Sequence, residues 1–208
     1  AARDTGVRRV VFASSSSVYG DTPTLPKVET MPVLPMSPYA ASKLSAEKYC
    51  AAFYKVYELE TVALRYFNVF GPHQDPTSQY SAVVPRFISA AMQGSKPVVY
   101  GDGHQSRDFT YVANVVEANL LACHVPQAVG DFFNVACGQR YSLLELLSTI
   151  SEITGMPVEA HHEPPRAGDV KHSLADISKI HQVMNFEPKV NFRDGLEKTV
   201  AYFAQWLA

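Results

Sequence analysis

Tyr39 and Lys43 stand four residues apart in the segment Tyr-Ala-Ala-Ser-Lys. On a helix this spacing stacks phenol and ammonium one turn apart on one face. A phenol titrates near 10 and is a weak base at pH 7. An ammonium about 4 Å away, at an effective dielectric constant near 20, favours the phenolate by roughly 4 kcal/mol. That is about three pK units, which is what a base working at neutral pH requires. The spacing alone also fits an exposed surface pair. Its placement makes it specific, because four consecutive serines, Ser14 to Ser17, lie upstream at the end of an apolar run. A hydroxyl at the carboxyl end of a strand can share a substrate oxygen's proton with such a tyrosine, and parallel sheets bind ligands at those ends.

The elements that must position these groups are legible nearby. Residues 9–14 are a short apolar run, which predicts a strand buried on both faces. Residues 21–38 contain five prolines and predict a long ordered or lid-like loop. Ser37 then Pro38 is a helix start, with serine as N-cap and proline at the first position. The helix "YAASKLSAEKYCAAFYKVY" follows, and "TVALRYFNVFG" is the next buried strand, stopped by Gly71 and Pro72. A strand, helix and strand in this order imply a parallel sheet. Beyond Pro72 the pattern predicts helices at "VVPRFISAAMQG", "VANVVEANLLACHV", "SLLELLSTISEITG" capped by Ser142, "ADISKIHQVMNF" and "FRDGLEKTVAYFAQWL". Strands are predicted around the turn in "PVVYGDGHQSRDFTYV" and at "DFFNVAC", and "VEAHHEPP" reads as extended. The fold class is α/β.

Composition narrows the partners. A net charge of −2 with 18% charged residues argues against nucleic acid or a membrane surface. No run of eighteen apolar residues is present, so no spanning helix is predicted. Cys50, Cys123 and Cys137 are odd in number and far apart, and read as reduced thiols of a cytoplasmic protein. His161 and His162 resemble a metal pair, but neighbouring strand residues face opposite ways, and no metal is expected. Tyr49, Phe53 and Tyr57 form a stripe at helical spacing that suits core or a dimer face.

Five segments, "SSSSVYG", "SPYAASK", "LRYFNVFGP", "GDGHQSRDFTYV" and "PRAGDVKHSLADISK", occur in that order. In this order they resemble the NAD-dependent epimerase/dehydratase family of the extended short-chain dehydrogenases/reductases. Within it they look closest to the UDP-N-acetylglucosamine 4-epimerases of surface-polysaccharide pathways. The resemblance implies the C-terminal part of a Rossmann-type doubly wound parallel sheet over residues 1–71, holding part of the NAD site. Residues 72–208 would be mainly a smaller mixed α/β substrate domain, with residues 109–125 packing back on the first part. A homodimer is implied through the Tyr39 helix and its neighbour.

The same resemblance implies roles residue by residue. Ser15 matches the catalytic hydroxyl, Tyr39 the base and Lys43 its partner on the nicotinamide ribose; all three would touch NAD, and Ser15 and Tyr39 also the sugar. Phe67 matches a contact to NAD and Asn68 one to the substrate diphosphate. Ala82 and Val83 match a helix-start contact to the nucleotide, and Val98, Val99 and Tyr100 the segment lining the uracil. Arg107 and Arg166 fall on the diphosphate, where two guanidinium groups can each bond oxygens bidentately. Asp169 falls on the uridine ribose. Read from the residues alone, the two arginines also suit salt bridges between domains, and Asp169 a cap.

Departures from the family pattern refine the expectation. No glycine-rich G-x-x-G-x-x-G turn is present, and the start "AARDTGV" reads as the end of a helix closed by Gly6. An N-terminal part is therefore expected upstream, and the 208 residues alone are expected to be inactive and to bind NAD weakly. Dehydratases of the family resemble this chain but carry Asp-Glu where it has Ser16 and Ser17. A serine cannot serve as a general acid near neutrality as a carboxyl does. Uronate epimerases resemble "RFFTVYG" where this chain has "RYFNVFG". Ser173, seven residues after Arg166, is small where plain-hexose epimerases resemble Tyr, which leaves volume for a 2-acetamido group. The implied activity is C4 epimerisation of UDP-N-acetylglucosamine through a transient 4-keto sugar. The alternatives are UDP-glucose/galactose 4-epimerisation, another nucleotide-sugar dehydratase or reductase, and a non-catalytic nucleotide-sugar-binding protein.

Overall fold

The computed structural model describes residues 1–75, 83–165 and 170–207. In chain order the elements are β1 (Arg9–Ser15), α1 (Pro38–Tyr57), β2 (Glu60–Tyr66), β3 (Val69–Phe70), α2 (Val83–Met92), β4 (Val98–Tyr100), β5 (Ser106–Arg107) and β6 (Thr110–Tyr111). They continue with α3 (Val112–His124), β7 (Phe132–Val135), β8 (Tyr141–Ser142), α4 (Leu143–Thr154), β9 (His161–Glu163), α5 (Ser178–Met184) and α6 (Phe192–Leu207).

Helix α1 begins where the sequence places it. The Ser37 hydroxyl accepts the Ala40 N–H at 3.1 Å, and Pro38 takes the first position, where its missing N–H costs nothing. The same logic opens α4, where Ser142 and Glu145 cap each other's backbone N–H groups reciprocally.

β1, β2 and β7 form a parallel sheet in that order, so its strands come from both sides of residue 71. The central strand β2 shows the two-residue period plainly. Thr61 and Arg65 turn toward α1, the threonine hydroxyl donating to Cys50 O at 2.9 Å. Val62 and Leu64 turn the other way, onto Val115, Ala118 and Ala122 of α3. Helices on both faces make the sheet doubly wound, as the sequence implies.

Two expectations change. β1 is not buried on both faces: most of it is half-buried and Ala13 is exposed. It is an edge strand among the described residues, bonded to β2 alone. The second strand is broken, because the chain leaves the sheet after Tyr66 and resumes as β3, which pairs with β6 instead. The break leaves Asn68 exposed beside the sheet's carboxyl end.

A second core lies under α2, α4 and α6. Phe70, Phe87, Phe109, Leu146, Ile150 and Leu196 are its buried centre. Each such side chain contributes roughly 1.5–3 kcal/mol by leaving water. Tyr49 and Tyr57 are exposed and Phe53 half-buried, so the α1 stripe is not core of this chain.

The proline-rich segment after Tyr19 has neither helix nor strand until Pro38, yet it is tied down at Lys27 and closely packed at Gly20. Lys27 bridges to Ala175, with Lys27 N–H on Leu174 O at 2.8 Å and Asp176 N–H on Lys27 O at 2.9 Å. At its start Gly20 has φ +68°, and a Cβ there would fall 2.1 Å from the Leu34 carbonyl oxygen. Only glycine meets both demands.

Candidate active site

The carboxyl ends of β1 and β2 open into a cavity of about 460 Å³. Its walls bring together Ser15, Tyr39, Phe67, Asn68, Arg107 and Ser173, which the sequence places up to 158 positions apart (173 − 15). This is the end of a parallel sheet at which ligands bind.

The four serines divide. Ser14 borders the cavity but is buried, and its hydroxyl donates to Glu47 Oε1 at 2.5 Å. Ser15 follows on the opposite side of the strand and lines the cavity. It caps a short 3-10 turn, Ser16–Tyr19, and its Oγ accepts the Ser17 N–H at 3.2 Å and the Ser17 hydroxyl at 3.0 Å. Val18 and Tyr19 anchor that turn from below, Tyr19 through its hydroxyl on Asn134 Oδ1 at 2.7 Å.

Tyr39 is 57% exposed on the first turn of α1 and faces the same cavity. The Lys43 ammonium lies 5.5 Å from its ring centroid and 5.3 Å from that of Phe12, and donates to Ala13 O at 2.9 Å. Lys43 thus stands at the edge of the strand end rather than on the cavity wall. Its positive charge is beside the phenol, as the spacing requires.

Phe67 is fully buried, packed with Val18, Tyr19, Ala136 and Ala175 under the cavity floor. On the far wall β5 meets the segment carrying Ser173. Ser106 N–H donates to Lys171 O at 3.0 Å and Ser173 N–H to Ser106 O at 2.9 Å. One Arg107 terminal nitrogen donates to Ser106 O and Lys171 O, at 3.0 and 3.1 Å. His172 joins this knot through Nδ1, 2.9 Å from Ser106 Oγ. Burial lowers the His172 pKa, and the positive charges of Arg140, Lys171 and Arg107 lower it further. Asp108 closes the knot from behind: it is fully buried and accepts backbone N–H groups of Cys137, Gly138 and Ala175.

Val83, Val98, Val99 and Tyr100 do not line this cavity. Val99 is fully buried in the second core, and β4 pairs with β9. Ala82, Arg166 and Asp169 lie outside the described residues. Lys27 and His172 line the cavity without having been foreseen. The Lys27 ammonium, buried with a lowered pKa, donates to Thr22 O and Thr22 Oγ1. No group of metal-binding side chains occurs among the described residues, and His162 instead places Nδ1 2.8 Å from Gly101 O. Cys50, Cys123 and Cys137 are free thiols, and burial pushes that of Cys137 up to about 11.

Comparison with known proteins bears on the whole arrangement. The chain is 40% identical over 204 residues to a UDP-glucose 4-epimerase of Mycolicibacterium smegmatis, covering 98% of this chain and 64% of that protein. It thus spans under two thirds of the length of the curated relatives it matches first. Among solved structures it resembles the UDP-N-acetylglucosamine 4-epimerase of Methanobrevibacter ruminantium in complex with UDP-N-acetylmuramic acid, with a TM-score of 0.94 and 43% identity over 99% of this chain and 66% of that one. It also resembles the UDP-glucose 4-epimerase of Thermotoga maritima with UDP-glucose, with a TM-score of 0.95 and 37% identity over 100% of this chain and 67% of that one. The sequence model of one family matches residues 1–136, the span that carries the serines, Tyr39, Lys43, Asn68 and Arg107. With that match and these relatives, the chain belongs to the NAD dependent epimerase/dehydratase family.

Proposed function

We propose that the full-length protein interconverts the C4 epimers of a UDP-sugar through a transient 4-keto sugar, and that it prefers N-acetylhexosamines. The observation that carries this reading is the single cavity wall shared by Ser15, Tyr39, Asn68, Arg107 and Ser173. Tyr39, as phenolate, takes the proton of the 4-hydroxyl, and Ser15 bonds the same oxygen. The Lys43 ammonium lies beside Tyr39, 5.5 Å from its ring centroid. Asn68, Arg107 and Arg166 hold the diphosphate, with Ala82 and Val83 on the nucleotide and Asp169 on its ribose.

The chain's residues fit one end of NAD. Lys43 and Tyr39 on one face of α1, beside the carboxyl end of β1, suit the nicotinamide ribose, with Ser15 and Phe67 alongside. Nothing in the sequence supplies a glycine-rich turn for the pyrophosphate. Held there by Tyr39 and Lys43, with Ser15 and Phe67 alongside, NAD would supply the reversible hydride acceptor for the sugar's C4.

Ser16 and Ser17 in place of carboxyl groups speak against dehydration. Ser173, small and on the cavity wall, leaves room for a 2-acetamido group. A second reading, UDP-glucose and UDP-galactose, is favoured by the names of the Mycolicibacterium and Thermotoga relatives. We place the enzyme in the reducing cytoplasm, given its free thiols, and assign the exposed Tyr49 and Tyr57 face of α1 to a homodimer. No helix among the described residues is long and apolar enough to cross a membrane. The test is a coupled assay of the full-length protein with NAD on UDP-N-acetylglucosamine and UDP-glucose. A higher kcat/KM on the acetamido sugar is expected. Equal values overturn the preference, and turnover of neither overturns the reaction.

A further inference from the structure

We propose that His172 is a further substrate-binding residue: its imidazole gains a proton when the diphosphate of the nucleotide sugar seats beside Arg107, and then holds that diphosphate as a cation. The inference deepens the proposed function and rests on its UDP-sugar substrate. His172 lines the same cavity as Arg107 and Ser173. Its Nδ1 lies 2.9 Å from Ser106 Oγ, and its backbone bridges to Ser106. Arg107, the next residue of β5, donates to Ser106 O and Lys171 O. Imidazole and guanidinium are therefore carried by two segments stitched together at one point, and both border the cavity. The contact to Ser106 survives either charge state of the ring, because a hydroxyl oxygen both donates and accepts. In the imidazolium both ring nitrogens donate, and with Nδ1 on Ser106 the other is left for a ligand.

The charges around the ring favour an anion. Arg107 faces it from β5, Arg140 from the segment before β8 and Lys171 from its own segment, while Asp102, beyond β4, opposes them. Burial and the three cations disfavour the charged ring in the absence of an anion. Two other acids near this wall are committed elsewhere. Asp108 accepts three backbone N–H groups behind it, and Glu145 caps α4 through Ser142. Tyr39 and Lys27 are the further titratable groups of the cavity wall. An arriving diphosphate brings two negative charges, offsets the repulsion from the cations and turns the balance toward imidazolium. Proton uptake and diphosphate binding then favour each other. A group whose pKa rises in the complex strengthens binding at low pH, and that gain is lost as pH rises through the raised value.

The experiment is calorimetry of UDP-N-acetylglucosamine binding to the full-length protein loaded with NAD, in two buffers of different ionisation enthalpy. The wild type should take up about half a proton per site near neutral pH, and bind about tenfold more tightly at about pH 6 than at about pH 8. His172→Asn keeps a polar nitrogen for Ser106 but cannot titrate. It should take up no proton, match the wild type at about pH 8 and bind about tenfold more weakly at about pH 6. Binding of the wild type without proton uptake overturns the proposal and leaves the substrate reading intact. Uptake that persists in His172→Asn overturns it too, as does a loss of affinity equal at both pH values, which would mark a ring that only props Ser106. The His172 signal of the wild type labelled with 13C-histidine reads the same event without a variant. Its titration midpoint should rise on binding, and an unmoved midpoint overturns the proposal. A wild type that binds no UDP-sugar overturns the substrate reading, and the inference with it.

Discussion

Arg65 grips both carboxylate oxygens of Glu47, through Nε at 2.8 Å and one terminal nitrogen at 2.7 Å, in the buried layer between α1 and β2. The guanidinium also lies 4.8 Å from the Tyr19 ring centroid and 4.2 Å from that of Phe132. Glu47 continues the stripe of Tyr39 and Lys43 by one more helical step of four. The pair therefore fixes the helix that carries the proposed base against the strands that carry the proposed hydroxyl.

Glu47→Ala leaves that guanidinium buried and uncompensated, which costs about 3–5 kcal/mol. Urea unfolding should show the loss at an unchanged m-value. A loss below about 1 kcal/mol would show that the pair does not hold α1 to the sheet.

Asp108 gives a pH dependence of stability. Burial pushes its carboxyl from 3.8 up to about 7, against the pull of the backbone N–H groups of Cys137, Ala175 and Gly138. Between those values the unfolded chain has released this proton and the folded chain still holds it. Stability from this group is thus complete below about pH 4 and lost as pH rises through about 7. At about 1.4 kcal/mol per unit, the span is on the order of 4 kcal/mol. Asp108→Asn should flatten the fall in unfolding free energy between pH 4 and 8. An identical slope in the variant would contradict the assignment.

Ser173 is predicted to set sugar preference by volume. Ser173→Tyr should reduce kcat/KM for UDP-N-acetylglucosamine about a hundredfold and that for UDP-glucose by less than about threefold. Equal losses on both sugars would mean that this wall does not face the 2-position.

What the sequence disclosed was local chemistry. The Ser37 and Ser142 caps and the Tyr39–Lys43 stripe each depend on residues within a turn or two of one another, and the parallel β1–α1–β2 unit follows from the order of three consecutive elements. The break between β2 and β3 was not legible, because it depends on β6, some forty residues on (Val69 to Thr110). The exposure of β1 depends on which strands flank it, which an apolar run does not encode. Lys27 and His172 escaped notice for the same reason: the bridges of Lys27 to Ala175 and of Ser106 to His172 carry them to the cavity. Glu47 could have been found, since it stands four residues beyond Lys43 on the same face.

The central claim is that Tyr39 is the base at a UDP-sugar's 4-hydroxyl. The most direct measurement is kcat of the full-length Tyr39→Phe variant, with UDP affinity measured in the same preparation. The account predicts a fall of about a thousandfold in kcat with UDP affinity unchanged. A variant that keeps wild-type kcat would contradict it.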